Sequence, residues 1–275
     1  MPTIRQLPPN LVNKIAAGEV IERPASVAKE LLENSIDAGA TRIEVLLEAG
    51  GSELIRISDN GCGIDEEQLS LAVTSHATSK LPDDDALFHV GTLGFRGEAL
   101  ASIASVSQML IRSRTSDAAS GSELLVHGGV IQSPAPCGCS AGTVIEVRNL
   151  FFNTPVRRKF MRTPQTETGH IVEAFTRIAL ANPHVHMLLQ NGNRTVHDLP
   201  STDTMSERVR AFFGEEIAAG LIPIEGDNGQ VKLAGYVCDP SINRGSNRMQ
   251  YLFLNVYIRD RALLQHALGK PTADC

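Results

Sequence analysis

Between residues 24 and 63 an amphipathic helix pattern runs into a hairpin pattern and then into an aspartate–glycine turn, an order that few folds accommodate. Glu30, Asn34 and Asp37 are spaced by four and three residues, which at roughly 100° per residue places them within about 60° of one another on a helix. They form one polar stripe, while Val27, Ala28, Leu31, Leu32 and Ile36 occupy most of the other side. Pro24 suits the first helical turn, where its missing N–H costs nothing. A strand pattern follows (Ile43, Val45, Leu47), then a Gly50-Gly51 turn, then a second strand from Leu54 to Ser58 that runs into Asp59. Taken alone, the polar stripe also fits an ordinary solvated helix face.

The turn Asp59-Asn60-Gly61-Cys62-Gly63-Ile64 narrows the chemistry. It lacks the alternating oxygen ligands and the distal glutamate of a calcium loop, which excludes that reading. Gly61 and Gly63 let the backbone turn sharply and approach a flat ligand, with Asp59 as hydrogen-bond acceptor. An exocyclic adenine amine is a natural donor to it.

The remaining features set looser bounds. A 275-residue chain with 42% hydrophobic residues can hold one large or two modest domains. No apolar run approaches the roughly 18 residues of a membrane span, and Met1-Pro2-Thr3-Ile4-Arg5 carries no apolar signal core, so a cytoplasmic protein is expected. Five irregularly spaced cysteines fit reduced thiols better than a disulfide framework. Cys137-x-Cys139 is only half of a four-ligand metal site, and structural zinc is not expected. His184 and His186 alternate on what reads as a strand and would share a face. Strands are also expected near Met109 to Arg114, Glu123 to His127, Val130 to Ser133 and Thr143 to Asn149, with Gly128-Gly129 as a two-residue hairpin turn. Leu199 to Ser206 interrupts the pattern with turn-forming residues, which predicts domains at 1–205 and 206–275. The net charge of −6 does not advertise a nucleic-acid binder. Any such binding would be local, at Arg157, Arg158, Lys159 and Arg162 around Phe160 and Met161, or at the sparser Arg244, Arg248, Arg259 and Arg261. Both clusters also fit solvated faces.

The helix text Lys29 to Ala40, the Asp59 turn, Thr78-Ser79-Lys80-Leu81, the run from Gly94 to Leu100 and Gly142 to Val147 resemble the ATP-site motifs of the GHKL ATPases, a superfamily that takes in gyrase, the ninety-kilodalton chaperones and the histidine kinases. Ile15 to Val20, Gly94-Phe95-Arg96-Gly97-Glu98-Ala99-Leu100 and the run from Leu150 to Phe160 resemble its mismatch-repair MutL branch, and the likeness runs from about Ile4 to Leu268. It implies an α/β, α+β sandwich of the GHKL (Bergerat) type: a mixed sheet with helices on one face, then the start of a small second αβ domain. It implies ATP and Mg²⁺ as cofactors, ATP-dependent homodimerisation, non-specific DNA contacts through Arg157, Arg158, Lys159, Arg259 and Arg261, and a MutS-like mismatch-recognition partner.

By the same resemblance Glu30 is the general base for the attacking water, Asn34 holds Mg²⁺, Asp59 selects adenine with Thr143 beside it, and Ala38, Gly61 and Gly63 line the nucleotide. Thr78 to Leu81 and Gly94 to Leu100 form a lid over the phosphates, although Phe95 equally fits a packing role and Arg96 an ion pair. An ATP-sensing module without turnover shares every one of these residues, and other GHKL ATPases share most of them. Two departures stand out. Leu254-Asn255 passes directly to Val256-Tyr257-Ile258 where the family usually has Asn-Gly-Arg or a similar triplet. The lysine by which the second domain reaches the γ-phosphate is expected beyond Cys275, as is the carboxy-terminal dimerisation domain.

Overall fold

The computed structural model describes residues 21–75, 77, 98–229, 231–242, 250–254 and 257–258. Helix α1 (Pro24–Asp37) has its proline in the first turn, preceded by an extended Arg23. Pro24, Val27, Ala28, Leu31, Leu32 and Ser35 recur at helical spacing and are buried, so the apolar stripe is the face that packs. Val27, Leu31 and Leu32 are at most 1% exposed, each worth about 1.5–3 kcal/mol of burial. Ile36, expected on that stripe, is only half-buried.

Strands β1 (Arg42–Glu48) and β2 (Leu54–Asp59) pair antiparallel across a 3₁₀ turn, Ala49–Gly51. Gly50 has φ 67°, and a Cβ there would strike the backbone of Pro164. The chain continues through α2 (Glu66–Ala72), α3 (Ala99–Ser105), β3 (Gln108–Arg114), β4 (Gly121–His127), β5 (Val130–Ile131), β6 (Ala135–Cys137) and β7 (Gly142–Arg148). Helices α4 (Pro155–Phe160) and α5 (Pro164–Ala181) and strands β8 (His186–Asn191) and β9 (Arg194–Leu199) follow. The strand order is β5-β4-β3-β7-β2-β1-β8-β9, with β6 also paired to β4. The β1·β8 pair is parallel and the other described pairs are antiparallel, so the sheet is mixed. Gly128 and Gly129 both take positive φ in the β4–β5 turn, as a two-residue hairpin of this twist requires. Strand β5 stops at Ile131 rather than Ser133, because Pro134 cannot donate to a ladder.

Register explains where the core lies and where it ends. Ile111, Ile145, Ile57, Val45 and Leu189 form one cross-strand row, Met109, Val147, Ile55 and Leu47 another, and all are buried. The next row along the same face reads Ser122, Ser113, Thr143, Asp59 and then Ile43. One end of the helix-covered face is therefore polar. Helix α1 reaches it through Ser35 Oγ to Asp59 Oδ2 at 2.8 Å, and α2 through Ser122 Oγ to Glu66 Oε2 at 3.0 Å. The opposite face carries ion pairs instead, with Glu146 held between Arg56 at 2.8 Å and Arg148 at 2.7 Å.

The chain forms two compact units, 1–175 with 185–200, and 176–184 with 201–275. In the second, Leu180 packs with Val209 of α6 (Met205–Phe213) and Ile217 of α7 (Glu215–Ala219). A reciprocal capping box between Thr204 and Glu207 starts α6. Pro183 O accepts both Thr202 N at 2.8 Å and Arg208 Nη2 at 2.5 Å, which ties residues 176–184 to this unit. The unit also holds the hairpin β10 (Leu221–Asp227) and β11 (Lys232–Cys238) and the short pair β12 (Phe253–Leu254) and β13 (Tyr257–Ile258). No helix among the described residues is long and apolar enough to cross a membrane.

Candidate functional site

The polar end of the sheet is built around Asp59, the last residue of β2. Its carboxylate accepts Gly61 N at 2.9 Å and Ser35 Oγ at 2.8 Å, and the backbone N–H of Thr143 on the neighbouring strand also favours its ionised form. Burial is the largest influence on this group and raises its pKa above the ordinary aspartate value, the three donors opposing it. An ionised carboxylate offers about four lone-pair positions, of which Gly61 N and Ser35 Oγ take two. Acceptor capacity remains on a half-buried group.

The floor beside Asp59 is a second cluster. Ser113 Oγ contacts Thr143 Oγ1 at 2.9 Å and Gly142 O at 3.0 Å, and accepts Ile64 N at 2.8 Å. The turn is thus fastened to β3. Gly63, at φ 76°, lies so close to the end of β3 that a Cβ would collide with Arg114 O, and Gly142, at φ 112°, lies against Asp59 O. A Cβ on Gly61 would meet Ala38 at 2.8 Å. These glycines therefore answer first to close approaches within the chain. Asn60 clamps the other side, its Oδ1 accepting Thr41 N at 2.9 Å and Arg42 N at 2.8 Å, while Cys62 N reaches Ala38 O at 3.0 Å.

Glu30 and Asn34 are half-buried on the polar stripe of α1. At 1.5 Å per residue, Glu30 stands about 7.5 Å back along the helix axis from Ser35, which touches Asp59. Lys29 Nζ lies 3.1 Å from Glu30 and 2.8 Å from Glu33, and Glu33 is buried. Burial raises the Glu33 pKa against the opposing pull of Lys29.

Thr78, Ser79, Lys80, Leu81, Gly94, Phe95, Arg96 and Gly97 lie outside the described residues, as do Arg244, Arg248, Arg259 and Arg261. Of the expected lid, Glu98 sits at the head of α3 and Ala99 and Leu100 in its first turn, all half-buried. In the basic cluster, Arg158 and Lys159 are exposed, as is Phe160 at 78%, while Arg157 Nη1 is buried with no hydrogen-bond partner among the described residues. His184 and His186 do not share a strand face, because β8 begins at His186 and His184 precedes it in a turn. His186 Nε2 instead meets Asp198 at 2.9 Å. No trio of His, Cys, Asp or Glu among the described residues is placed to cage a metal.

Two members of this site escaped the sequence reading: Ser35 and Ser113. Each interrupts an apolar series, Ser35 after Val27, Ala28, Leu31 and Leu32, and Ser113 after Met109 and Ile111. A polar residue at a position whose period is otherwise buried was the available signal.

This sheet, with helices on one face and an aspartate at the end of a central strand, is the GHKL ATPase fold. Residues 22–130 match the family of histidine kinase-, DNA gyrase B- and HSP90-like ATPases, and residues 209–271 match the carboxy-terminal domain of DNA mismatch repair proteins. The Aquifex aeolicus MutL ATPase domain complexed with ADP superposes with a TM-score of 0.73 at 33% identity, over 90% of this chain and 88% of that one. The MutL proteins of Citrifermentans bemidjiense and Anaeromyxobacter sp. are 48% and 46% identical over 96% and 95% of the chain. The chain belongs to the MutL family of DNA mismatch repair proteins. It spans 41% and 43% of the length of those two relatives.

Proposed function

We propose that the first unit is the ATP-binding and slowly hydrolysing switch of a MutL mismatch-repair protein, with residues 206–275 opening its second domain. The carrying observation is the Asp59 cradle: Ser35 Oγ and Gly61 N orient the carboxylate and leave it acceptor capacity, which suits the exocyclic amine of adenine. Thr143 and the turn residues Gly61 and Gly63 frame that position, and Ala38 closes it from the end of α1. The ADP bound by the related Aquifex domain supports a nucleotide here.

Glu30 acts as general base toward a water at the γ-phosphate, its carboxylate partly exposed on the polar stripe of α1. Asn34, one turn further on, offers a hard amide oxygen beside the Glu30 carboxylate, a donor set that fits Mg²⁺, an ion that binds few protein oxygens and keeps several waters. When bound, Mg²⁺ neutralises phosphate charge. Thr78 to Leu81 and Gly94 to Leu100 serve as the lid, with glycine N–H groups turned toward the phosphates.

In the longer protein, ATP binding is read out as homodimerisation and closure around DNA, relaying a signal from a MutS-like mismatch-recognition partner in the cytoplasm. DNA contacts at Arg157, Arg158, Lys159, Arg259 and Arg261 are to phosphate and independent of sequence. Calorimetric titration with ATP and Mg²⁺ and a steady-state turnover assay, on the unmodified chain and on Glu30→Ala, test the reading. Glu30→Ala should bind ATP and lose about 10²–10⁴-fold in turnover. Binding without turnover in the unmodified chain would identify a sensor, and unaltered turnover in Glu30→Ala would remove Glu30 from the chemistry.

A further inference from the structure

We propose that Cys137 and Cys139 form a reversible redox dithiol, closing to an internal disulfide by exchange with a small-molecule disulfide of the glutathione class. The two sulfurs converge on one glycine. Cys137 is the residue in register with Gly121 across the β4·β6 pair, and the Cys139 Sγ occupies the space that a Cβ on Gly121 would fill. Residues in register across a ladder project to the same side of the sheet, so the Cys139 sulfur lies on the face that carries the Cys137 side chain. Both residues are partly exposed and both thiols are free.

Covalent geometry permits the bond. Two residues of fully extended chain span about 7 Å, and a cystine accepts Cα separations of roughly 4.4–6.8 Å, so a slight bend suffices. That bend falls at Gly138, which lies beyond the last residue of β6 and has no atom within 4 Å of its Cβ position. The small loop also sets the behaviour of the bond. Closing it removes little unfolded-chain entropy, so the disulfide gains little stability and belongs with the labile kind that exchange readily.

The surroundings slow Cys137 as a nucleophile without barring exchange. Glu123 and Arg112, joined at 3.0 Å, flank Cys137, and burial, the Cys139 thiol and Glu123 together push its pKa up against Arg112. Cys137 therefore holds its proton. In the exchange one thiolate attacks a sulfur of the small disulfide and releases one thiol. The second cysteine, after losing its proton, attacks the mixed disulfide and releases the other. The protein loses two protons and two electrons, and the small disulfide becomes two thiols. The dithiol adjoins the polar floor: Cys139 O accepts Arg114 Nε at 3.0 Å, and Arg114 follows Ser113 in β3.

The test equilibrates the 275-residue chain in buffers of graded glutathione disulfide to glutathione ratio, then quenches with iodoacetamide and maps peptides by mass spectrometry. Cys137 and Cys139 should lose alkylation together, over one range of ratios, and appear as an internally linked peptide. In Cys137→Ser, Cys139 should stop at the mixed disulfide with glutathione. The proposal is overturned if both remain alkylated at ratios where exposed Cys62 and Cys238 carry glutathione, or if each carries its own glutathione.

Discussion

Replacing Asp59 separates its two duties, because alanine and asparagine remove different things. Asp59→Ala leaves Ser35 Oγ and Gly61 N without their acceptor. An unsatisfied buried donor costs about 1–3 kcal/mol, but this group is half-buried and water can enter the vacated space. Removing a carboxylate that burial disfavours offsets part of the loss, so a net destabilisation of about 1–3 kcal/mol is expected. Asp59→Asn keeps Oδ1 for Gly61 N, and its amide can donate to Ser35, whose hydroxyl also accepts. Its stability should fall by less than about 1 kcal/mol. For ATP the asparagine is no better than alanine, since an N–H₂ group now faces the adenine amine, and a loss of about 1–3 kcal/mol corresponds to roughly 5–150-fold in affinity.

The pH dependence has a definite sign. The folded-state pKa of Asp59 is raised, so between the ordinary value of 3.8 and that higher value the folded protein binds more protons than the unfolded chain. The contribution to stability is full below pH 3.8 and is lost as pH rises through the folded value. Asp59→Asn abolishes this slope. Urea unfolding as a function of pH and calorimetric titration with ATP read both duties. An Asp59→Asn protein that binds ATP within twofold of the unmodified chain refutes the adenine assignment, and an Asp59→Ala protein of unchanged stability refutes the cradle.

Gly142→Ala should cost at least about 1–3 kcal/mol in urea unfolding, because φ 112° is a glycine conformation and the added Cβ meets Asp59 O; a loss under about 0.5 kcal/mol contradicts this. The Glu146 carboxyl is opposed by burial but held below its ordinary value of 4.5 by Arg148 and Arg56. Its stabilisation is present above that value and lost as pH falls through the lower folded value. Glu146→Gln should therefore destabilise by about 1–2 kcal/mol at pH 7, allowing for the partly exposed arginines, and by less in acid; an equal deficit at both pH values counts against it. Glu30→Ala should retain ATP binding while losing turnover, as set out above. Charge reversal at Arg158 or Lys159 should weaken duplex binding and lower its log–log salt slope by about 0.9 per phosphate contact. A constant slope would make α4 a solvated face.

Local features were legible in the residues themselves. The period of α1, the β1–β2 hairpin and the Gly128-Gly129 turn each depend on neighbours a few positions away, through helical spacing, strand alternation or positive φ at glycine. The acidic turn was legible for the same reason, since Asp59 caps Gly61 within it. Pairing between distant strands was not. The parallel β1·β8 ladder, the β4·β6 pair and the packing of residues 176–184 with the second unit join segments whose local patterns name no partner. Those pairings place Ser113, Thr143 and Asp59 in one row and bring Ser35 down onto it from the helix. Alternation along a strand says which side chains share a face, but register across strands says which polar groups meet, and the site is a property of that register.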